Sequence, residues 1–175
     1  MKFNKILLKI LFFLALSIPF ANANQKIVFI DIQKILTESI SGKYLNSNIG
    51  KLKEKKINEF KKDQENLQNE EKKLIGKKNI LEKSKFEEQV GILRTKITTF
   101  NNKKKKSSDN LNKKRINGTN KILNTLNSIL QDYASKNSIS IILQKKNILL
   151  GENSIDITQD ILKLLDNKIK KINLE

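Results

Sequence analysis

Residues 25–43 read QKIVFIDIQKILTESISGK, and this stretch decides the fold. Its first part, Lys26–Asp31, is a compact run of Ile, Val and Phe. It is too short for a helix and suits a buried strand. Asp31–Glu38 has the spacing of a short helix, with Asp31 placed to accept from the free N–H groups of the first turn. Ser39–Gly42 carries Ser and Gly, which bend or break that helix. From Lys43 the chain turns lysine-rich and reads almost entirely as helix for about ninety residues. One strongly apolar strand ahead of a thin polar helix needs a partner elsewhere in the chain.

Upstream, Met1–Asn24 begins with Lys2 and Lys5, continues as ILLKILFFLALSIPF and ends in Ala21-Asn22-Ala23. A basic start, an apolar middle and a small-x-small end make the pattern of a secretory signal peptide at 1–23, cleaved after Ala23. A membrane anchor is the other reading, but the apolar run is short and broken by Lys9 and Pro19. No later segment is apolar enough to span a bilayer. Export implies an oxidising compartment, yet the chain has no Cys, so disulfides do not hold it together. The net charge is +17, and +14 once Lys2, Lys5 and Lys9 are removed with the signal.

Downstream, apolar residues recur as Leu45, Ile49 and Leu52, then Phe60, Leu67, Leu74 and Leu81. The last four form a heptad repeat whose other seam position is polar (Gln64, Glu71, Lys78), so the stripe is one residue wide. After Ser84, the residues Phe86, Val90, Leu93, Ile97 and Phe100 follow a full a/d seam. Lys104 and Ser107 interrupt it and Leu111 resumes it. Between the two runs, Gly76–Ser84 (GKKNILEKS) has a poor helix former at each end. It predicts a reversal, giving an antiparallel helical hairpin over 43–119 with its tip near 76–84. One unbroken helix in a parallel coiled coil is the alternative. Arms of some 40 residues would be roughly 60 Å long. Lys51–Arg115 holds 21 Lys and Arg against 10 Asp and Glu, densest at Lys103–Lys106 and Lys113–Arg115. For any single lysine the simplest reading is a solvated helix face.

From Ile122 the stripe widens through Leu123, Leu126, Ile129, Leu130 and Tyr133, so this stretch should bury more. Asn137-Ser138 ends the helix. Ile139–Gln144 (ISIILQ) reads as a second strand, Lys145-Lys146-Asn147 as a turn and Ile148–Gly151 as a third strand. Ile155–Ile172 reads as an amphipathic helix with Ile157, Ile161, Leu164, Leu165 and Ile169 on one face. The first strand thus finds its partners more than a hundred residues later. The expected fold is mainly α with a small β body (α+β). Segments 24–42 and 120–175 form the body, and the hairpin is an insertion that leaves and returns. Three short strands are marginal alone and leave edges exposed, and one copy offers only a modest core. Both point to oligomerisation through Ile27, Val28, Phe29, Ile30, Ile139, Ile141, Ile142, Leu143, Ile157 and Ile161.

The absent residues narrow the chemistry. With no His and no Cys, the usual soft metal ligands and the usual general base are missing. Six Gly and neither GxxxxGK[ST] nor GxGxxG leave no phosphate-cradling loop. The carboxylates lie among lysines on exposed helices rather than paired in a cleft. No catalytic residue, metal or cofactor is expected. Asn117-Gly118-Thr119 matches the N-glycosylation pattern by chance, since the signal looks bacterial.

The order of signal, strand, short helix, charged hairpin, small strands and final helix resembles the Skp/OmpH family of periplasmic chaperones. IVFIDIQKILTESISGK (Ile27–Lys43) resembles the family's opening, KFEEQVGILRTKI (Lys85–Ile97) the start of its returning arm, and IDITQDIL (Ile155–Leu162) the signature of its last helix. The likeness spans essentially all of the chain after the signal. It implies a homotrimer shaped like a jellyfish, whose arms enclose unfolded outer membrane proteins in the periplasm without ATP. Phe60, Leu67, Leu74, Phe86, Val90 and Phe100 would first hold each hairpin together. Some of them, with Lys77, Lys78, Lys103 and Lys104, would also touch client. Lipopolysaccharide or an anionic membrane surface is a further partner that the resemblance suggests. The chain departs from the family in being richer in Lys and Asn and poorer in Ala and Gln. Two other readings stand beside it. A structural coiled-coil envelope protein would not need the terminal strands and the last helix. Polyanion binding fits the charge, but the export signal and the lack of an aromatic platform argue against nucleic acid.

Overall fold

The computed structural model describes residues 25–174, and the expected signal segment lies outside the described residues. Strand β1, Lys26–Ile30, leads directly into helix α1, Ile32–Glu38. The expected cap forms: the Asp31 carboxylate accepts from the Lys34 N–H at 2.9 Å. Ser39 then ends α1 and starts α2, Ile40–Gly76. Its backbone is extended, its N–H donates to the Ile35 carbonyl, and its hydroxyl accepts from the Gly42 N–H at 3.0 Å. The corner is tight because Gly42 lies against α1. A Cβ there would meet the carbonyl oxygen of Leu36 and come within 2.8 Å of its carbon.

Residues 77–82 reverse the chain, and α3 returns as one uninterrupted helix, Lys83–Lys136. The hairpin is therefore the form adopted, not the continuous coiled coil. Within the last third of α3, Ile122, Leu126 and Ile129 are buried, in line with the wider stripe. Ser138, with φ of 53°, turns the chain into β2, Ile139–Gln144. Strands β1 and β2 pair in parallel, Val28 opposite Ile142 and Phe29 opposite Leu143. Parallel pairing needs a long crossover, and the whole arm supplies it.

The third strand expected at Ile148–Gly151 does not form. The turn at Lys145–Asn147 is a 3-10 turn, and a second one covers Asn153–Ile155. β1 has only two edges. β2 takes one, and the other receives a single bridge between Phe29 and Asp156, with the Ile157 N–H donating to the Phe29 carbonyl at 3.0 Å. Leu149 and Leu150 are left almost wholly in solvent. The closing helix α4 is Thr158–Lys168, shorter at both ends than the expected Ile155–Ile172. At its start, Asp156 accepts from the Thr158 N–H at 2.9 Å, a local bond that competes with helix. After it, Ile169–Leu174 leaves the helix as an extended tail that returns along α3, burying Ile172.

The core is small and lies where the chain's two ends meet. Ile30, Ile35, Ile122, Leu126, Ile161 and Leu165 are its most deeply buried large side chains. Helix α4 stitches this body through polar contacts as well. Thr158 Oγ1 accepts from the Asp31 N–H at 2.9 Å, Asp166 from the Ile40 N–H at 2.7 Å and Asp160 from the Tyr133 hydroxyl at 3.0 Å.

Candidate functional site

The arm is built from α2 and the first part of α3, packed antiparallel. Leu74 is buried, while Phe60, Leu67, Phe86, Val90 and Phe100 are half-buried along the seam. Phe60 and Phe100 meet edge to face, centroids 6.0 Å apart at 82°. Such a pair contributes beyond simple burial, by about 0.5–1.5 kcal/mol. Charges lace the seam from outside. Lys96 reaches Glu70 at 2.7 Å and Lys103 reaches Asp63 at 2.9 Å, each across the two helices. Lys103 also lies over the Phe60 ring at 5.9 Å and Lys104 over Phe100 at 5.5 Å. Lys77 and Lys78 are exposed at the tip, beside Ile75 and Ile80, which are also exposed.

Where Lys104 and Ser107 interrupt the seam, the two helices leave a groove of about 340 Å³. Ile49, Phe60 and Leu111 line it together with Lys53, Lys56, Lys104 and Arg115, and no carboxylate borders it. Nearer the tip lies a trough of about 370 Å³ along Leu67, Phe100, Asp63, Glu70, Lys96 and Lys103, where both signs of charge are present. A third hollow, of about 240 Å³, lies beside Leu74 and Leu93. These are open troughs on a rod. They can grip an extended chain at many weak points, but they offer no closed chamber for chemistry. Lys56 holds the Glu59 carboxyl below the usual carboxylate range through a 2.6 Å hydrogen bond. That bond leaves Lys56 partly neutralised, so Lys53, Lys104 and Arg115 set the sign of the groove.

The body presents a different surface. Val28, Phe29, Ile30, Ile157 and Ile161 are buried within the single chain, and Ile139 and Ile142 are half-buried. Ile27 on β1 and Ile141 and Leu143 on β2 point outward at 42%, 44% and 43% exposure, and the outer edge of β2 carries no further strand among the described residues. A separate groove of about 420 Å³ lies between Ile30, Leu130, Ala134, Ile142 and Leu143. The strand residues expected to face neighbouring copies thus divide into an inner set, which builds the core, and an outer set, which is free. Sequence reading did not single out Ile75 and Ile80 at the tip or Lys53 and Lys56 at the groove, whereas Arg115 stood in the dense basic block Lys113–Arg115. Lys53 and Lys56 had a legible signal: Ile49, Lys53, Lys56 and Phe60 recur at helical spacing, a basic pair between two apolar residues on one face.

The OmpH family, described as outer membrane protein (OmpH-like), matches residues 26–165, nearly the whole described chain. This chain belongs to the OmpH-like family. Its membership supports a chaperone role. An OmpH-like chain from Caulobacter crescentus CB15, given the provisional description of outer membrane chaperone, shares the fold with a TM-score of 0.78. The two are 19% identical, over 85% of this chain and 88% of that one, so the likeness is one of architecture. No curated protein matches. The OmpH-like arm, its seam and its cationic groove are therefore placed on a known scaffold, with side chains of this chain's own. No described helix of this OmpH-like protein is long and apolar enough to cross a membrane.

Proposed function

We propose that this chain is an ATP-independent holdase that keeps unfolded outer membrane proteins soluble in the periplasm. The observation that carries the reading is the arm itself. It is a long hairpin with a one-residue seam, flanked by open apolar troughs and edged by lysines. An unfolded client is held by many shallow contacts to the seam and troughs, none strong enough to impose a fold on it. Phe60, Leu67, Leu74, Phe86, Val90 and Phe100 are the contact candidates, with Lys77, Lys78, Lys103 and Lys104 as the charged ones. The basic arms steer acidic clients and raise the capture rate more than the final affinity. Three copies join through Ile27, Ile141 and Leu143 and the open edge of β2, which needs covering. The arms then surround a shared space.

Light scattering on the chain from Asn24 onward, alone and after dilution of a urea-unfolded outer membrane protein into it, tests this. The expected result is a particle of three chains that keeps the client soluble with no nucleotide present. A monomer or dimer that lets the client aggregate overturns it. A second reading, binding of lipopolysaccharide, draws support from the groove bordered by Lys53, Lys56, Lys104 and Arg115 without a carboxylate. Changing Lys53 and Arg115, which are not among the client contacts, to Gln should then abolish lipopolysaccharide binding while leaving client holding in place. Retained binding would discard that reading.

A further inference from the structure

We infer that the C-terminal tail is a strap that sets the direction of the arm at its root, and that its release lets the arm swing. Three observations meet at one place. First, the tail is tied to a single face of α3. Lys121 Nζ donates to the Asn173 carbonyl at 2.7 Å and Lys114 Nζ to the Leu174 carbonyl at 2.6 Å. Between these lysines, on the same face, lies Gly118. Second, Gly118 is where the two arm helices and the tail come together. A Cβ there would stand 2.5 Å from Leu45 Cδ1 and 3.1 Å from Leu174 Cδ2. The missing side chain lets α2, α3 and the tail close on one another. Third, the rod is weak immediately beyond this point. The groove of about 340 Å³ from Ile49 to Arg115 leaves the two helices without a filled seam.

A clamp next to a soft joint acts as a stop. With the tail seated, Leu174 wedges against Leu45 and Gly118 and the two lysines pin its backbone, so the arm leaves the body at one angle. With the tail lifted, the arm root keeps Leu45, Ile49 and Ile122 as its packing but loses Leu174 from it, and bending concentrates at the groove. The Lys121 bond is exposed and the Lys114 bond only part-buried, so the strap opens at a small cost compared with unfolding the body. The inference concerns the arm's angle and stands whether or not the arm holds a client. If the chaperone reading is right, the strap governs how wide the space between arms can open.

The chain has no cysteine, so two can be introduced cleanly, at Asn79 in the tip and at Gln159 on α4, both exposed. Spin labels there report the tip-to-body distance. Labelled chains are diluted into excess unlabelled chain, so that each assembly carries one pair. The intact protein should give one narrow distance distribution. A chain ending at Ile172 lacks both carbonyl acceptors and Leu174 but keeps buried Ile172. It should give a broadened and shifted distribution with unchanged helix content. The double variant Lys114→Met, Lys121→Met should broaden it in the same direction to a smaller extent. If truncation costs the body its fold, the double variant alone decides. Distributions that superimpose on that of the intact protein overturn the strap.

Discussion

Gly42 and Gly91 are both helical glycines, and only their surroundings separate them. A Cβ at Gly42 would collide with the backbone carbonyl of Leu36, whereas nothing lies within 4 Å of the corresponding position at Gly91. Gly42→Ala should lower the stability by about 1–3 kcal/mol, since backbone cannot move aside as a side chain can. Gly91→Ala should raise helix stability by about 0.5–1 kcal/mol, by removing the flexibility of glycine from a helix interior. Urea denaturation of the two variants checks both signs, and like changes in both would refute the distinction. The sequence placed a break at Ser39–Gly42 but could not tell a glycine required by close approach from one that is merely tolerated. Asp156 gives a second residue-scale test. Partial burial pushes its carboxyl up, but hydrogen bonds from Thr158 and the nearby Lys145 ammonium outweigh this and hold its pKa below the usual carboxylate value. A folded-state pKa that is lowered adds stability above the unfolded pKa and loses it as pH falls through the folded one. Between about pH 5 and about pH 2, the protein should lose stability more steeply than Asp156→Asn. Parallel curves would show that the carboxylate contributes nothing.

Among the elements, the arm and the body differ in kind. In the body, α3 buries Ile122, Leu126 and Ile129. In the arm, α2 buries only Leu74 beyond Ile49. The cross-arm ion pairs are exposed, and pairs of that kind contribute about 0–1 kcal/mol each. Amide hydrogens over residues 51–112 should therefore exchange faster than those around Ile122–Ile129. Phe100→Ala removes the edge-to-face partner of Phe60. It should speed exchange in the middle of the arm and leave the body unchanged. Uniform protection along α3 would contradict this division. The arm was readable in advance because a heptad of Phe60, Leu67, Leu74 and Leu81 is a local pattern, and the tip was readable from Gly76 and Ser84. The false strand at Ile148–Gly151 shows the limit. Its apolar run matched a strand, but pairing depends on a free edge, and β1 had already given its second edge to Asp156. The tail was hidden for a similar reason. Ile169 and Ile172 fit a helical stripe, and the contacts that hold the backbone out of it come from α3, fifty residues or more away, where Lys114 and Lys121 bind its carbonyls.

For the whole molecule, the proposed assembly rests on the outer edge of β2 and on the outward side chains Ile141 and Leu143. A two-stranded sheet is marginal in water, and an open edge invites another chain. The double variant Ile141→Asp, Leu143→Asp should run as a single chain in light scattering while keeping its helix content. An unchanged particle mass would move the interface elsewhere. Charge works at this scale too. The surplus of basic residues lies mostly on the arms, so added salt should slow capture of an acidic client, with a smaller effect on how much is held at saturation. A capture rate indifferent to salt would remove steering from the account.

The parallel pairing of β1 with β2 also fixes an order of events in time. A chain made from its N-terminal end presents β1 first, and its partner is not made until the whole arm has followed. Joining two strands so far apart along a loose chain is slow. Helices, however, form within microseconds from contacts close in sequence. Once α2 and α3 fold back on each other, Leu45 lies against Gly118, and the separation still to be closed is much shorter than the whole arm. The part that reads as an appendage in the finished molecule is the jig on which its body is assembled.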